Sequence, residues 1–183
     1  MKIIETQIIG VYIVGTIPYR DHRGAFSRLF CEDELAPILD GRHIVQINHS
    51  RTLRVGAVRG MHFQKAPHAE MKLVRCIVGR VWDVAVDLRH GSSTFLQWYA
   101  HELDADAMNM MIIPEGCAHG FQVLESSSEL IYLHTASYEK LAEGGIRFDD
   151  PAIGIGWPLP CADVSPRDQS HALLNEKFKG LMV

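Results

Sequence analysis

The run Arg80-Val81-Trp82-Asp83-Val84-Ala85-Val86-Asp87-Leu88 alternates without a break, and a strict period of two is what an extended strand requires. Val81, Asp83, Ala85 and Asp87 fall on one side of it, and Trp82, Val84, Val86 and Leu88 on the other. Similar β-rich runs precede and follow it: HIVQINHS from His43, VGAVRGMHF from Val55, MKLVRCIV from Met71, FLQWYAHEL from Phe95, NMMIIP from Asn109, HGFQVLE from His119 and ELIYLHTAS from Glu129. Turn signals separate them at Gly79-Arg80, Gly91-Ser92-Ser93, Asp104-Ala105-Asp106 and Pro114-Glu115-Gly116. Many short strands at this spacing predict an antiparallel sandwich or barrel.

Around that β-rich body, residues 2–15 predict one or two strands, Gly24 suits a bend with positive φ, and Ala25 to Phe30 reads as a short strand. Glu32 to Leu39 is the first predicted helix. After the loop-rich Asp149-Asp150-Pro151 to Pro160 stretch, Gln169 to Phe178 is the second.

With 183 residues and no linker or repeat, one domain spans residues 1–183. The net charge of -4, from 22 acids against 18 bases, provides no polyanion-binding field, so nucleic acid is not an expected partner. Cys31, Cys76, Cys117 and Cys161 are widely spaced and form no C-x-x-C pair, which predicts free thiols in a reducing compartment. The first residues, MKIIETQIIGVYIVG, lack the apolar core and cleavage site of a signal peptide, and no run has the length of a membrane span. A cytoplasmic protein without a membrane partner is expected.

Chemistry concentrates between Val58 and Asp87. His62 stands among apolar neighbours in Gly60-Met61-His62-Phe63, and Lys72 opens the next strand. An imidazole with a cation nearby suits work on an anionic or enolate-like group. In Ile113-Pro114-Glu115-Gly116-Cys117-Ala118-His119-Gly120-Phe121, a tight turn delivers His119 to the start of a strand, a spacing that resembles the second motif of cupin barrels. The first cupin motif supplies two metal-binding histidines and a glutamate, but here Gln64 stands at the second histidine's position. The pattern therefore favours the barrel and acid–base chemistry over a metal centre held by His62 and His119.

Read alone, each of these residues also has a plain structural role. His62 and Tyr132 fit core positions, Lys72 an edge strand, and Asp168 in Ser165-Pro166-Arg167-Asp168 a helix cap. Asp83 and Asp87 read as inward-pointing polar groups or partners of Arg75 and Arg89. His43, His49, His68, His90, His101, His134 and His171 are scattered and carry no assigned role.

Taken together, RGMHFQ, KLVRCIVGRVWDVAVDLR, SSTFLQW, IPEGCAHGF, IYLHTASY, DDPAIGIGWP and VSPRD resemble, in order and spacing, the dTDP-4-dehydrorhamnose 3,5-epimerase family over roughly residues 17 to 170. The resemblance implies an all-β, cupin-type antiparallel barrel (jelly roll) with a few short helices, assembled as a homodimer and working without metal or cofactor. It implies epimerisation at C3, C5 or both of a nucleotide-diphosphate sugar of the 4-keto-6-deoxyhexose class, most directly dTDP-4-dehydro-6-deoxyglucose. By position, His62 is the implied base, Asp168 its partner, Tyr132 the opposing acid and Lys72 the enolate stabiliser. Arg23 and Arg59 are the implied diphosphate contacts, with Gln46, Asn48, His119 and Tyr138 as further substrate contacts. The chain departs from the family pattern at Ala25 to Arg28, at Ile47 between Gln46 and Asn48, and at Ser137 before Tyr138. These departures leave open another base, another sugar or inversion at one carbon. A metal-dependent cupin and a sugar-nucleotide binding protein without catalysis are the alternatives.

Overall fold

The computed structural model describes residues 1–183. Thirteen strands and two short helices follow one another in the order β1 (Lys2–Glu5), β2 (Tyr12–Gly15), β3 (Tyr19–Asp21), β4 (Gly24–Phe26), α1 (Glu32–Leu39), β5 (Gln46–Thr52), β6 (Val58–Gln64), β7 (Lys72–Val78), β8 (Arg80–Asp87), β9 (Trp98–Asp104), β10 (Asn109–Ile113), β11 (Cys117–Val123), β12 (Ser128–His134), β13 (Glu143–Gly145) and α2 (Pro166–Ser170). One sheet has six strands in the order β1-β2-β10-β7-β12-β5, and the other five in the order β13-β6-β11-β8-β9. Strand pairing within both is antiparallel throughout. The predicted jelly-roll architecture is present, with one refinement. No ladder joins the two large sheets, so they form a facing sandwich rather than a hydrogen-bonded closed barrel.

Alternation decides what each face covers. Along β8, Val81 and Ala85 enter the core between the sheets together with Val74, Cys76, Met111, Phe121, Val123 and Leu130. Val84, Val86 and Leu88 point the other way, into a second cluster with Met61, Phe63, Ala118, Ile146 and Ile153. That outer face is covered by the C-terminal segment through Ile155, Trp157, Leu174, Phe178 and Leu181. The outer face of the six-stranded sheet is covered instead by α1, whose Leu35 and Leu39 pack on Val14, Leu73, Met110, Ile112 and Leu133.

Three expectations need correction. The second helix is Pro166–Ser170 rather than Gln169 to Phe178, because Ser165 caps it and Pro166 occupies its first turn. Leu174 and Phe178, whose spacing resembled a helix, are anchors of an irregular strap. The strand after Gly24 ends at Phe26, in a two-stranded hairpin that packs on neither large sheet. Arg75 does not pair with Asp83. It lies on the opposite face of β7 from Val74 and Cys76, where its guanidinium donates to Thr16 Oγ1 at 3.0 Å and Leu29 O at 3.3 Å.

Leu130 is fully buried in the inter-sheet core. Leu130→Ala should lower the unfolding free energy by about 2–5 kcal/mol, read from urea denaturation, because the surrounding strands cannot close over the missing atoms.

Candidate active site

At one end of the sandwich the inner face changes from apolar to polar while its alternation is kept. On β7 the sequence Cys76, Val74, Lys72 runs from core to cavity, and on β12 the sequence Leu130, Tyr132, His134 does the same. The resulting cavity of about 610 Å³ is lined by residues of both sheets and of the segment Asp163 to Asp168. It is large enough for a substantial polar ligand.

A backbone irregularity aims two of its side chains. Arg59 and His62 are an odd number of residues apart, so a regular strand would send them to opposite faces. The β6–β11 register shifts between the pairs His62↔His119 and Arg59↔Phe121, and both side chains reach the cavity wall. Gly60 allows it: its φ is +130°, and a Cβ there would lie 2.5 Å from the Cα of Gly120.

Asp168 is not a helix cap. Ser165 Oγ accepts the hydrogen bond from its main-chain N–H at 3.1 Å, which leaves the carboxylate free to turn inward. There Oδ1 accepts from His62 Nε2 at 2.8 Å, and Oδ2 accepts from Gly60 N–H at 3.2 Å. Burial opposes the carboxylate's charge. The hydrogen bonds from His62, Gly60 and Arg167 outweigh it and hold Asp168 well below the usual carboxylate range. An ionised Asp168 can only accept, so His62 carries its hydrogen on Nε2 and its lone pair on Nδ1. Arg167 Nη2 also lies 3.0 Å from His62 Nε2, but with that nitrogen committed to Asp168 the guanidinium donates instead to Glu143 Oε1 at 2.9 Å and to Asp168 Oδ1 at 3.3 Å.

Tyr132 faces this pair from the other sheet. Burial pushes its phenol well above the usual range, while the hydrogen bond between its hydroxyl and Ser50 Oγ, 3.1 Å apart, pulls the other way. Lys72 is not an edge residue, since β7 lies between β10 and β12. Its ammonium donates to His62 O at 3.1 Å and pairs with Glu70 at 3.3 Å. Arg59 Nε donates to Thr52 Oγ1 at 2.8 Å, and Asn48 lines the same wall. His119 is buried against Asp83, its Nε2 2.7 Å from Oδ1.

Two implied substrate contacts lie elsewhere. Arg23 stands on the exposed β3–β4 hairpin, paired with Asp21 at 2.6 Å, and does not line the cavity. Gln46 lies just behind the wall, where its side chain accepts from Tyr138 N–H at 3.0 Å and donates to Asn48 Oδ1 at 3.2 Å. Tyr138 is at the rim, its hydroxyl donating to Glu143 Oε2 at 3.0 Å. Of the departures from the family pattern, Ile47 is exposed and Arg28 pairs with Glu34 at 2.5 Å, both away from the cavity lining.

The cavity also contains residues that sequence reasoning left unassigned: Glu70, Glu143, Arg167, Ser50 and His134. Arg167, Ser50, Glu70 and His134 each lie within two positions of Asp168, Asn48, Lys72 or Tyr132, whereas Glu143 had no such sequence signal. His171 lies beside His62, ring centroids 6.3 Å apart, and with Asp168 the three offer possible metal-ligand atoms within 4.8 Å of one another. The guanidinium of Arg167 on the same imidazole opposes a cation there. His62 and His119 each commit Nε2 to their own carboxylate, and the cluster of possible metal-ligand atoms around His62 does not include His119.

The family model for dTDP-4-dehydrorhamnose 3,5-epimerase matches residues 5–176. The chain belongs to this family. It is 45% identical over 182 residues to a dTDP-4-dehydrorhamnose 3,5-epimerase of Pseudomonas aeruginosa, covering 97% of this chain and 92% of that one. It is 36% identical over 178 residues to a dTDP-4-dehydrorhamnose 3-epimerase of Streptomyces niveus, covering 96% and 85%. Among solved structures, a dTDP-6-deoxy-D-glucose-3,5-epimerase of Legionella pneumophila in complex with dTDP-4-keto-L-rhamnose superposes with a TM-score of 0.91 at 38% identity, covering 96% of this chain and 94% of that one. As a member of the dTDP-4-dehydrorhamnose 3,5-epimerase family the protein is an isomerase of the epimerase class. No helix is long and apolar enough to cross a membrane.

Two buried acids, Asp168 at the cavity and Asp87 outside it, set a pH limit. Burial alone would raise the Asp87 carboxyl, but hydrogen bonds from Arg89, Ser92 and Thr94 hold it down to about 2. Asp168 is depressed as well. In the unfolded chain both titrate near pH ~4, so their stabilisation is complete above about pH 5 and is lost as pH falls toward the folded values. Thermal melts should show Tm falling between about pH 5 and 3, with a shallower dependence in Asp87→Asn than in the parent chain.

Proposed function

We propose that the protein epimerises a nucleotide-linked 4-keto-6-deoxyhexose, with dTDP-4-dehydro-6-deoxyglucose as the first candidate, by proton abstraction and return through an enolate. The observation that carries this reading is a carboxylate-held imidazole on one sheet facing a protonated phenol on the other, with a buried ammonium in the wall between them. A hydrogen on the carbon beside the ketone leaves as a proton to His62 Nδ1. Its electron pair moves onto the ketone oxygen, which receives an N–H from Lys72. Asp168 holds the imidazole in the required tautomer and stabilises the imidazolium that forms. The enolate then takes a proton from the Tyr132 hydroxyl on the opposite ring face, which inverts the carbon. A phenol kept protonated by burial is suited to that donation. Proton exchange with water resets both groups.

Arg59 is the diphosphate anchor in this reading, supported by its place on the cavity wall as a planar fork of donors. His119, Asn48 and Tyr138 contact the sugar nucleotide, with Gln46 holding the latter two in place. The Legionella complex and the Pseudomonas relative support a dTDP sugar, and the Streptomyces 3-epimerase is a precedent for inversion at one carbon. A homodimer accords with the exposed Ile17, Tyr19 and Phe26 around Arg23, which would place that residue's diphosphate contact across the interface. Four free thiols accord with a cytoplasmic setting.

In deuterated water with dTDP-4-dehydro-6-deoxyglucose, the parent enzyme should incorporate deuterium at C3, C5 or both. His62→Ala and Asp168→Asn should each slow incorporation by roughly 100-fold or more, as expected for loss of a general base. Tyr132→Phe should keep exchange while losing most product. Equal loss of exchange in Tyr132→Phe and His62→Ala would refute the division of roles. Stoichiometric iron, manganese or zinc in protein purified without chelator, with activity lost on its removal, would replace this mechanism with the metal-dependent one.

A further inference from the structure

Glu70 has no part in the reaction as described, yet it is the most closely held acid beside Lys72. It precedes β7 and its side chain is 7% exposed. Oε1 lies 3.3 Å from Lys72 Nζ, and Oε2 accepts from His134 Nδ1 at 3.0 Å and from Gln64 Nε2 at 3.2 Å. The network continues one step further, with 3.3 Å between His134 Nε2 and the Asn48 amide nitrogen. Asn48 Oδ1 is occupied by the Gln46 amide, so the Asn48 nitrogen must face His134. Burial would neutralise Glu70, but the His134 hydrogen bond and the Lys72 charge outweigh it and keep the carboxylate below its ordinary range.

His134 donates from Nδ1 to the Glu70 carboxylate and accepts on Nε2 from Asn48, so it is neutral and one tautomer is fixed. The cluster then holds one negative charge, on Glu70, and one positive charge, on Lys72. An ammonium has three N–H bonds. One of Lys72's is donated to the main-chain carbonyl of His62, and the ion pair with Glu70 Oε1 draws a second toward the carboxylate. The third is left for the cavity. Because that carbonyl belongs to the residue that supplies the base, the same contacts fix where Lys72's remaining donor lies relative to His62.

We propose that Glu70 is a positioning residue: by pinning the Lys72 ammonium against the His62 carbonyl, it leaves one N–H directed at the ketone oxygen on which charge develops. The inference rests on the enolate-stabilising role of Lys72 given above. Positioning of this kind acts in the transition state more than on the bound substrate, so it is read in kcat rather than KM.

The test uses the full chain, dTDP-4-dehydro-6-deoxyglucose and three variants. Glu70→Gln keeps the shape and a hydrogen-bond acceptor but removes the charge. It should lower kcat and the rate of deuterium incorporation in parallel, roughly 10- to 100-fold, with KM within about threefold. Glu70→Asp, which keeps the charge on a shorter arm, should recover part of the loss. Lys72→Met should reduce incorporation at least as far as Glu70→Gln. A Glu70→Gln enzyme with parental kcat beside an inactive Lys72→Met enzyme overturns the positioning role alone. A fully active Lys72→Met enzyme overturns the reading of Lys72 and the proposal with it. A Glu70→Gln loss confined to KM also overturns the proposal, and so does an equal kcat loss in Glu70→Asp and Glu70→Gln together with a fallen melting temperature, which would mark Glu70 as structural.

Discussion

The separation of two facing sheets governs everything at the site. Leu130, Val74 and Cys76 from one sheet meet Phe121, Val123, Val81 and Ala85 from the other, and their packing fixes how far β12 stands from β6. The proposed base His62 and the proposed acid Tyr132 belong to different sheets, so that distance is also the width available to a ligand between them. A sandwich with both outer faces covered, by α1 on one side and the C-terminal strap on the other, has little freedom to adjust it.

Charge inside such a cavity is tolerated only when it is paired, since an isolated buried ion is very costly to desolvate. The site follows that rule closely. His62 has Asp168, His119 has Asp83, and Lys72 has Glu70, which in turn holds His134. Each imidazole is thereby fixed in one orientation: Asp168 leaves His62 with its Nδ1 lone pair for the cavity, whereas Glu70 leaves Lys72 with a donor. The same pairing holds the Asp168 and Glu70 carboxyls below their ordinary range and links the site to acid stability. Tyr132 is the exception that fits its proposed role: uncharged, buried and tied only to Ser50, it keeps its proton.

Strands were readable because alternation is local. The face assignment along β8 and the helix Glu32–Leu39 follow from side-chain order alone. Misreadings arose where a local pattern had two solutions. Leu174 and Phe178 have a spacing that suits a helix face, but they are used as anchors on the outer sheet, while the short Ser165-Pro166 start signal marks the true helix. Asp83 has an arginine partner in sequence, yet Arg75 is on the wrong face of β7, and His119 reaches it across the β8–β11 ladder. Glu70 sits in an ordinary polar loop sequence, and nothing local indicates that its carboxylate turns inward.

Residue order along the chain sufficed for the β architecture and the family, and for the proposed chemical types: an imidazole, an ammonium, a phenol and a carboxylate in that order. Which of them meet is settled by packing. Asp168 is separated from His62 by 106 positions, and their contact depends on Ser165 capping α2 and so turning the carboxylate inward. Arg59 and His62 share a cavity because a register shift at Gly60 offsets the alternation that would otherwise divide them. Periodicity specifies which way a side chain points within its own strand, whereas contact across strands depends on register, bulges and sheet separation, which are properties of the packed whole.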